Sequence, residues 1–297
     1  MIRFDDQVAI ITGAAAGLGR AHALGLAARG CKLVINDMNA EAAQNTVDEI
    51  TAMGAEAMVH TADVSDEAQA ADMVAQAVDK WGRIDIVVNN AGILRDKSFA
   101  KMDLAEFRKV IDVHLMGSTY VTHAAWPHMR AAQYGRVVFT SSSSGLYGNF
   151  GQANYGAAKT AMLGLMNVLH IEGARDNIRV NILAPTAITA MTEGLIPADA
   201  AALLQPETIT PGLLYLASDN APSRVILSAG AGSFAQTQIR ETEGISLQGD
   251  DLSPETIAAR FSEIQDSEGA HDMPDAFSQT RRFAQNAAKL RGLKLDW

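Results

Sequence analysis

Short apolar, β-branched runs alternate along this chain with longer, Ala-rich segments. The runs fall at residues 8–12, 33–36, 57–60, 84–89, 137–141, 180–183 and 225–228. Several are apolar throughout rather than at every second position, the pattern of strands covered on both faces. Between them, residues 18–29, 40–53, 67–81 and 154–175 place apolar side chains at helical spacing. Strand–helix alternation with short connections predicts an α/β fold built on a doubly wound, seven-stranded parallel sheet.

The alternation stops near Gly232. Residues 1–232 therefore read as one domain and 233–297 as a mostly helical C-terminal extension. Ser253-Pro254-Glu255-Thr256 has the signature of a helix start, a serine cap followed by proline in the first turn. Residues 277–290 form a second helical candidate. A lid, a small lobe and a dimer arm all fit such an extension.

Composition narrows the partners more than the fold. The chain has 297 residues and a formal net charge of −10, so its mean field repels phosphate backbones and anionic membranes. Nucleic acid is not an expected partner. No apolar run approaches the ~20 residues needed to span a bilayer, so no membrane insertion is expected. Cys31 is the single cysteine, which excludes an intrachain disulfide and suits a small core residue. His123 and His128, five apart, lie on different helix faces, and no metal site is expected. The charged start from Met1 to Asp6 runs straight into a strand and leaves no room for a leader. The chain ends Leu295-Asp296-Trp297 rather than in a Ser-Lys-Leu address. The expected location is cytoplasmic.

Candidate chemistry begins at the first strand–helix turn, Thr12-Gly13-Ala14-Ala15-Ala16-Gly17-Leu18-Gly19. Glycines there let backbone approach a pyrophosphate, and a helix N-terminus supplies N–H groups and positive dipole. The strand, turn, helix and second strand fit within residues 8–37, the layout of a Rossmann-type nucleotide site. Asp37 ends the second strand, where a carboxylate bonds adenosine ribose hydroxyls and repels a 2′-phosphate. No Lys or Arg lies between Gly13 and Gly19 to offset it, so NAD is the expected cofactor. Asp63-Val64 and Asn89-Asn90-Ala91-Gly92 follow the third and fourth strands, at the edge where such sheets bind ligands.

Tyr155 and Lys159 are four apart in a helical stretch, hence on one face. Free tyrosine, with a pKa of about 10, is a poor base at neutral pH, and a nearby ammonium favours the phenolate. That pairing makes Tyr155 a proton donor in reduction and an acceptor in oxidation. Ser142, at the end of a strand, presents a hydroxyl able to hold a substrate oxygen.

Taken together, Thr12–Gly19, Asn89–Gly92, Ser142 and Tyr155-x-x-x-Lys159 resemble the short-chain dehydrogenase/reductase superfamily over about residues 5–232. The resemblance implies an oxidoreductase moving a hydride between NAD and a secondary alcohol. It implies Tyr155 as acid/base, Ser142 polarising the carbonyl, and Lys159 holding the nicotinamide ribose and tuning Tyr155. Cofactor contacts are implied at Gly13, Gly17, Leu18, Gly19, Asp37, Asp63, Val64, Asn90, Gly92, Tyr155, Lys159 and, through its backbone, Ile188. His114 stands where many members carry an asparagine that orients a proton-relaying water; it either takes over that catalytic role or braces the helix. Ala190 stands where relatives commonly carry a cofactor-contacting threonine.

Three longer strings, residues 91–99, 113–118 and 145–155, are similar to the (3R)-hydroxyacyl-CoA dehydrogenase part of the peroxisomal multifunctional enzyme type 2 group, also called the 17β-hydroxysteroid dehydrogenase type 4 group. That likeness implies oxidation of (3R)-hydroxyacyl-CoA to 3-ketoacyl-CoA by a homodimer or a dimer of dimers, here as a stand-alone dehydrogenase. A 17β-type hydroxysteroid dehydrogenase is the alternative within the class. A nucleotide-binding regulatory or scaffold protein without catalysis is the alternative outside it.

Overall fold

In the computed structural model, residues 1–187 and 197–297 are described. The apolar runs form strands because helices cover both of their faces. β1 (Val8–Thr12) is buried at every position and is followed by α1 (Gly17–Ala27), β2 (Lys32–Asp37), α2 (Ala40–Ala52) and β3 (Ala57–Thr61). The chain continues through α3 (Glu67–Trp81), β4 (Ile86–Asn89), α4 (Leu104–Ile111), a π-helical turn (Asp112–Met116) and α5 (Gly117–Ala132). β5 (Gly135–Thr140), α6 (Ser143–Tyr147), α7 (Ala153–Gly173) and β6 (Ile178–Pro185) follow. Last in this part come α8 (Ala198–Leu203), α9 (Thr210–Ala217), β7 (Ile226–Gly230) and β8 (Ser233–Thr237).

Among the described residues the strands make one eight-stranded sheet in the order β3-β2-β1-β4-β5-β6-β7-β8. The seven expected strands pair in parallel. The eighth, which the hydrophobic pattern misses, pairs antiparallel with β7 across the two-residue turn Ala231-Gly232, both residues at positive φ. Its residues, Ser233-Phe234-Ala235-Gln236-Thr237, are largely exposed and lack the apolar run that marks the others.

One face of the sheet packs Leu26 of α1, Ile50 of α2 and Leu213 and Leu216 of α9. The other packs Met73 of α3, Val121 and Met129 of α5, and Met162 and Met166 of α7. β1 sits between β2 and β4, so successive connections leave it in opposite directions. The carboxyl ends of β1 and β4 therefore border the crevice where such sheets take ligands.

The chain divides into two compact units, Met1–Thr237 and Gln238–Trp297. Residues 233–237, read from sequence as the start of the extension, belong to the sheet. The second unit carries α10 (Pro254–Ala259), α11 (Phe261–Ile264) and α12 (Ala276–Leu290). Ser253 caps α10 by accepting from Thr256 N, and Asp275 caps α12 by accepting from Ser278 N. Within this unit Arg282 pairs with Glu241 at 2.6 Å.

Candidate active site

The turn after β1 is built by hydrogen bonds that leave one set of donors over. Thr12 Oγ1 accepts from Asn90 N and Ala91 N, both at 3.0 Å, tying the end of β1 to the end of β4. Asn90 Nδ2 donates to Thr12 O and Gly13 O, again at 3.0 Å, and holds the glycine turn from below. A Cβ on Gly13, whose φ is +63°, would lie 2.8 Å from Ala91 Cα, so only glycine lets the two loops close together. α1 then starts at Gly17 with Ala16 as N-cap, no side-chain cap and no acidic residue in its first turn. By contrast α2, α3 and α4 are capped by Asn39, Asp66 and Asp103. The unanswered N–H groups and dipole of α1 suit an anion, which is the fit expected for the pyrophosphate of a dinucleotide.

Asp37 stands beside this turn at the end of β2. Its Oδ2 accepts from Ala15 N at 3.2 Å and its Oδ1 from Asn39 N at 3.0 Å. Backbone amides thus aim the carboxylate across the cleft mouth.

The chemical groups lie on the far side of the same cleft. Ser142 caps α6, its Oγ accepting from Ser144 N at 3.2 Å. Asn154, fully buried in the first turn of α7, donates to Arg95 O at 2.9 Å and accepts from Tyr155 N at 2.7 Å. One turn later Lys159 is buried, its Nζ donating to Thr140 O at 2.5 Å and lying 5.5 Å from the centre of the Tyr155 ring. Ser141 Oγ bonds Lys159 O at 2.9 Å, which fixes α7 against β5.

His114 sits in the π-turn with its ring edge-on to Tyr155, centroids 5.2 Å apart. Such turns recur at functional sites because they push one residue out of helical register. Its Nε2 lies 2.8 Å from Ile93 O and 3.0 Å from Ile93 N. A single ring nitrogen serves one of these per tautomer. Nδ1 is buried and bonds no side chain or backbone atom among the described residues.

Electrostatics differ from the sequence expectation at one point. Burial raises the pKa of Tyr155 above the ordinary phenol value; the Ser142 hydroxyl opposes this and the Asp96 carboxylate adds to it. The Lys159 ammonium expected to pull it down is itself pushed down to about 7 by burial. Burial, helped by the charge of Lys159, pushes His114 to about 3, with the Ile93 backbone opposing.

These groups line one cavity of about 390 Å³. Of the residues singled out from sequence, Gly13, Gly17, Leu18, Asp37, Asn90, Gly92, His114, Ser142, Tyr155 and Lys159 all line it. Gly19 does not: it packs beneath the turn, where a Cβ would meet Gly13 O at 2.2 Å. Asp63 bonds Ser65 N and Oγ, and Val64 is buried against Gly117. Ile188, with Ala190, lies outside the described residues. Sequence reading missed Asn154 and Gln152, whose signal was only their adjacency to Tyr155, and Thr140, whose backbone carbonyl holds Lys159.

A family model described as short chain dehydrogenase matches residues 7–200. The chain belongs to the short-chain dehydrogenase family. It is 42% identical over 277 residues to a peroxisomal hydratase-dehydrogenase-epimerase of Saccharomyces cerevisiae, covering 89% of this chain and 31% of the relative. Among solved structures it is similar to full-length peroxisomal multifunctional enzyme type 2 from Drosophila melanogaster, with a TM-score of 0.85 at 35% identity over 97% of this chain and 51% of that one. It is also similar to a 7α-hydroxysteroid dehydrogenase complexed with NADH and 7-oxo glycochenodeoxycholic acid, with a TM-score of 0.72 at 31% identity over 78% and 95%. The chain thus spans about a third of the length of the yeast relative it matches. As a member of this family the chain is an oxidoreductase acting on a CH–OH group.

The expected cytoplasmic location is corrected by the same comparisons. Relatives from yeast, mouse, Dictyostelium discoideum and Neurospora crassa are named as peroxisomal enzymes. The cytoplasmic expectation rested on lacking a recognised address, and the lack of a signal carries no positive information.

Proposed function

We propose that this short-chain dehydrogenase oxidises a (3R)-hydroxyacyl-CoA to the 3-ketoacyl-CoA with NAD. The observation that carries the chemistry is the convergence of Tyr155, Ser142 and Lys159 on one cleft wall, opposite the uncapped start of α1. The likeness to peroxisomal multifunctional enzymes supports the acyl-CoA, and Asp37 supports NAD over NADP.

Gly13, Gly17, Leu18 and Asp37 would hold the dinucleotide, which when bound supplies the hydride acceptor. Ser142 holds the substrate oxygen by its hydroxyl while Tyr155 takes the proton from it. Lys159, fixed through Thr140, stands behind the phenol ring and would hold the nicotinamide ribose. Asn154 sets the height of the Tyr155 backbone. Contacts of His114 with Ile93, Gly92 and the Tyr155 ring support a bracing role for it. The reading carries with it a homo-oligomer, a dimer or a dimer of dimers, which light scattering reads as mass. It also treats the C-terminal extension as a separate element, whose removal is expected to change assembly or substrate range rather than dinucleotide binding.

The test is a set of initial rates with NAD and NADP on a medium-chain (3R)-hydroxyacyl-CoA, its (3S) epimer and hydroxysteroids, for the native enzyme and Tyr155→Phe. The expected result is NADH formation from the (3R) thioester, lost at least about 100-fold in Tyr155→Phe. Preference for the (3S) epimer sinks the substrate assignment, and an unchanged Tyr155→Phe sinks the acid/base assignment. A second reading, a hydroxysteroid dehydrogenase, is favoured by the likeness to the 7α-hydroxysteroid enzyme. It prevails if the steroid is turned over and the thioester is not.

A further inference from the structure

Two side-chain amides ahead of α7, those of Asn149 and Gln152, line the same cavity as Ser142 and Tyr155. Gln152 Nε2 donates to Asp96 Oδ2 at 2.8 Å, and Asn149 Nδ2 donates to Gln152 Oε1 at 3.1 Å. A carboxylate has no hydrogen to give, so Gln152 turns its nitrogen to Asp96 and its oxygen to Asn149. The reverse orientation would set two acceptors against each other. Asp96 is held for this task by its neighbours: Arg95 O accepts from Asn154 Nδ2 and Lys97 N donates to Gly151 O, both at 2.9 Å.

Gln152 stands one helical turn ahead of the acid/base group. Its carbonyl accepts from Gly156 N at 2.7 Å, so the ladder of α7 already runs through it, and Tyr155 follows three residues on. Three residues rise about 4.5 Å along a helix and return to nearly the same face. An amide nitrogen carries two hydrogens, and Asp96 takes one of them. Among the described residues no other group bonds Gln152 Nε2. The cleft wall thus offers the Ser142 and Tyr155 hydroxyls to one substrate oxygen and, a turn away, a single spare N–H donor.

We propose that Gln152 determines substrate specificity, its spare Nε2 hydrogen donating to a carbonyl oxygen two carbons from the carbon being oxidised. This rests on the reading that Tyr155 takes its proton from a 3-hydroxyacyl-CoA. In such a thioester one methylene separates the hydroxyl-bearing carbon from the carbonyl, and the carbonyl oxygen can only accept. A 17β-hydroxysteroid has no oxygen at that spacing. Bound in the cleft it would cover the amide without answering it, and a donor left unpaired costs more than a made hydrogen bond returns. A site built to bond one polar group discriminates strongly against a substrate that lacks it. Asn149 and Asp96 act through Gln152 as positioning residues, keeping its nitrogen in place to donate.

The experiment compares kcat/KM for a (3R)-hydroxyacyl-CoA with that for its thioether analogue, in which a methylene replaces the thioester carbonyl. It uses the full chain, Gln152→Met and Gln152→Glu. The native enzyme is expected to prefer the thioester at least about 10-fold, the scale of one hydrogen bond against an unpaired donor. Gln152→Met keeps the length of the side chain without the donor and is expected to lower that preference at least about 10-fold. Gln152→Glu sets an acceptor where the donor stood and is expected to lower it at least as far. A native enzyme indifferent to the carbonyl overturns the proposal, a result that needs no variant to fold. So does a loss in Gln152→Met that is equal for both substrates, the mark of a structural role. A native enzyme that oxidises a hydroxysteroid and neither CoA compound removes the acyl-CoA reading beneath the proposal. That failure is distinct from an unmoved preference in an enzyme that does oxidise the thioester.

Discussion

Gly92 has no unusual backbone angle, yet a Cβ on it would sit 2.2 Å from His114 Cε1. The imidazole cannot yield by rotating freely, because its Nε2 is held at Ile93 and its edge meets Tyr155. Gly92→Ala is therefore expected to push His114 toward the phenol, lower kcat at least about 10-fold, and destabilise by about 1–3 kcal/mol as overpacked cores do. Steady-state kinetics with a urea titration checks this; native kinetics would show that His114 does not position Tyr155. Asp37 gives a second residue-scale prediction. Asp37→Asn keeps an acceptor for only one of the Ala15 and Asn39 amides and removes the charge that repels a 2′-phosphate. The ratio of kcat/KM for NAD over NADP is expected to fall at least about 10-fold, and an unchanged ratio would remove Asp37 from cofactor choice.

At the scale of elements, what was legible in the sequence follows burial. β1, β4 and β5 are buried at every position, so their apolar runs stood out. Tyr155 and Lys159 were legible because four residues make one helical turn, and Gly13 because a turn between strand and helix has few chemical solutions. The π-turn was not legible, since Asp112–Met116 has the same composition as a regular helix and differs only in hydrogen-bond register. Nor was β8, a largely exposed strand without an apolar run, held to the sheet mainly by backbone pairing with β7. Thr237 at its end also bonds Ser228 at 3.0 Å and Tyr147 of α6 at 3.1 Å, beside Ser142. A chain ended after Gly232 should therefore behave worse than one ended after Thr237. It bares the edge of β7, an invitation to edge-to-edge association. Size-exclusion chromatography and thermal melts are expected to show more aggregate and a lower Tm for the shorter chain, and equal behaviour would demote β8 to decoration.

For the whole molecule, the decisive groups are two histidines folded in their neutral forms at distant points. His22 of α1 is fully buried, bonds Thr210 of α9 at 3.1 Å, and is pushed down to about 3 by burial. His114 is held to about 3 in the same way. An unfolded histidine titrates near 6.5, so between that value and about 3 the unfolded chain binds the extra protons. Stability from neutral burial is therefore complete above about pH 6.5 and is lost as pH falls toward 3. At pH 5 the loss is about 2 kcal/mol per histidine, or about 4 for both, against a typical total of about 5–15. Urea titrations at stepped pH, followed by circular dichroism, are expected to show this decline well before the carboxylates titrate. His22→Gln should remove about half of it while leaving the Tyr155 cleft untouched, because Thr210 keeps a polar partner. If His22→Gln acidifies with the native slope, folded His22 takes up its proton as readily as the unfolded chain does, and neutral burial of this ring contributes nothing to the acid loss.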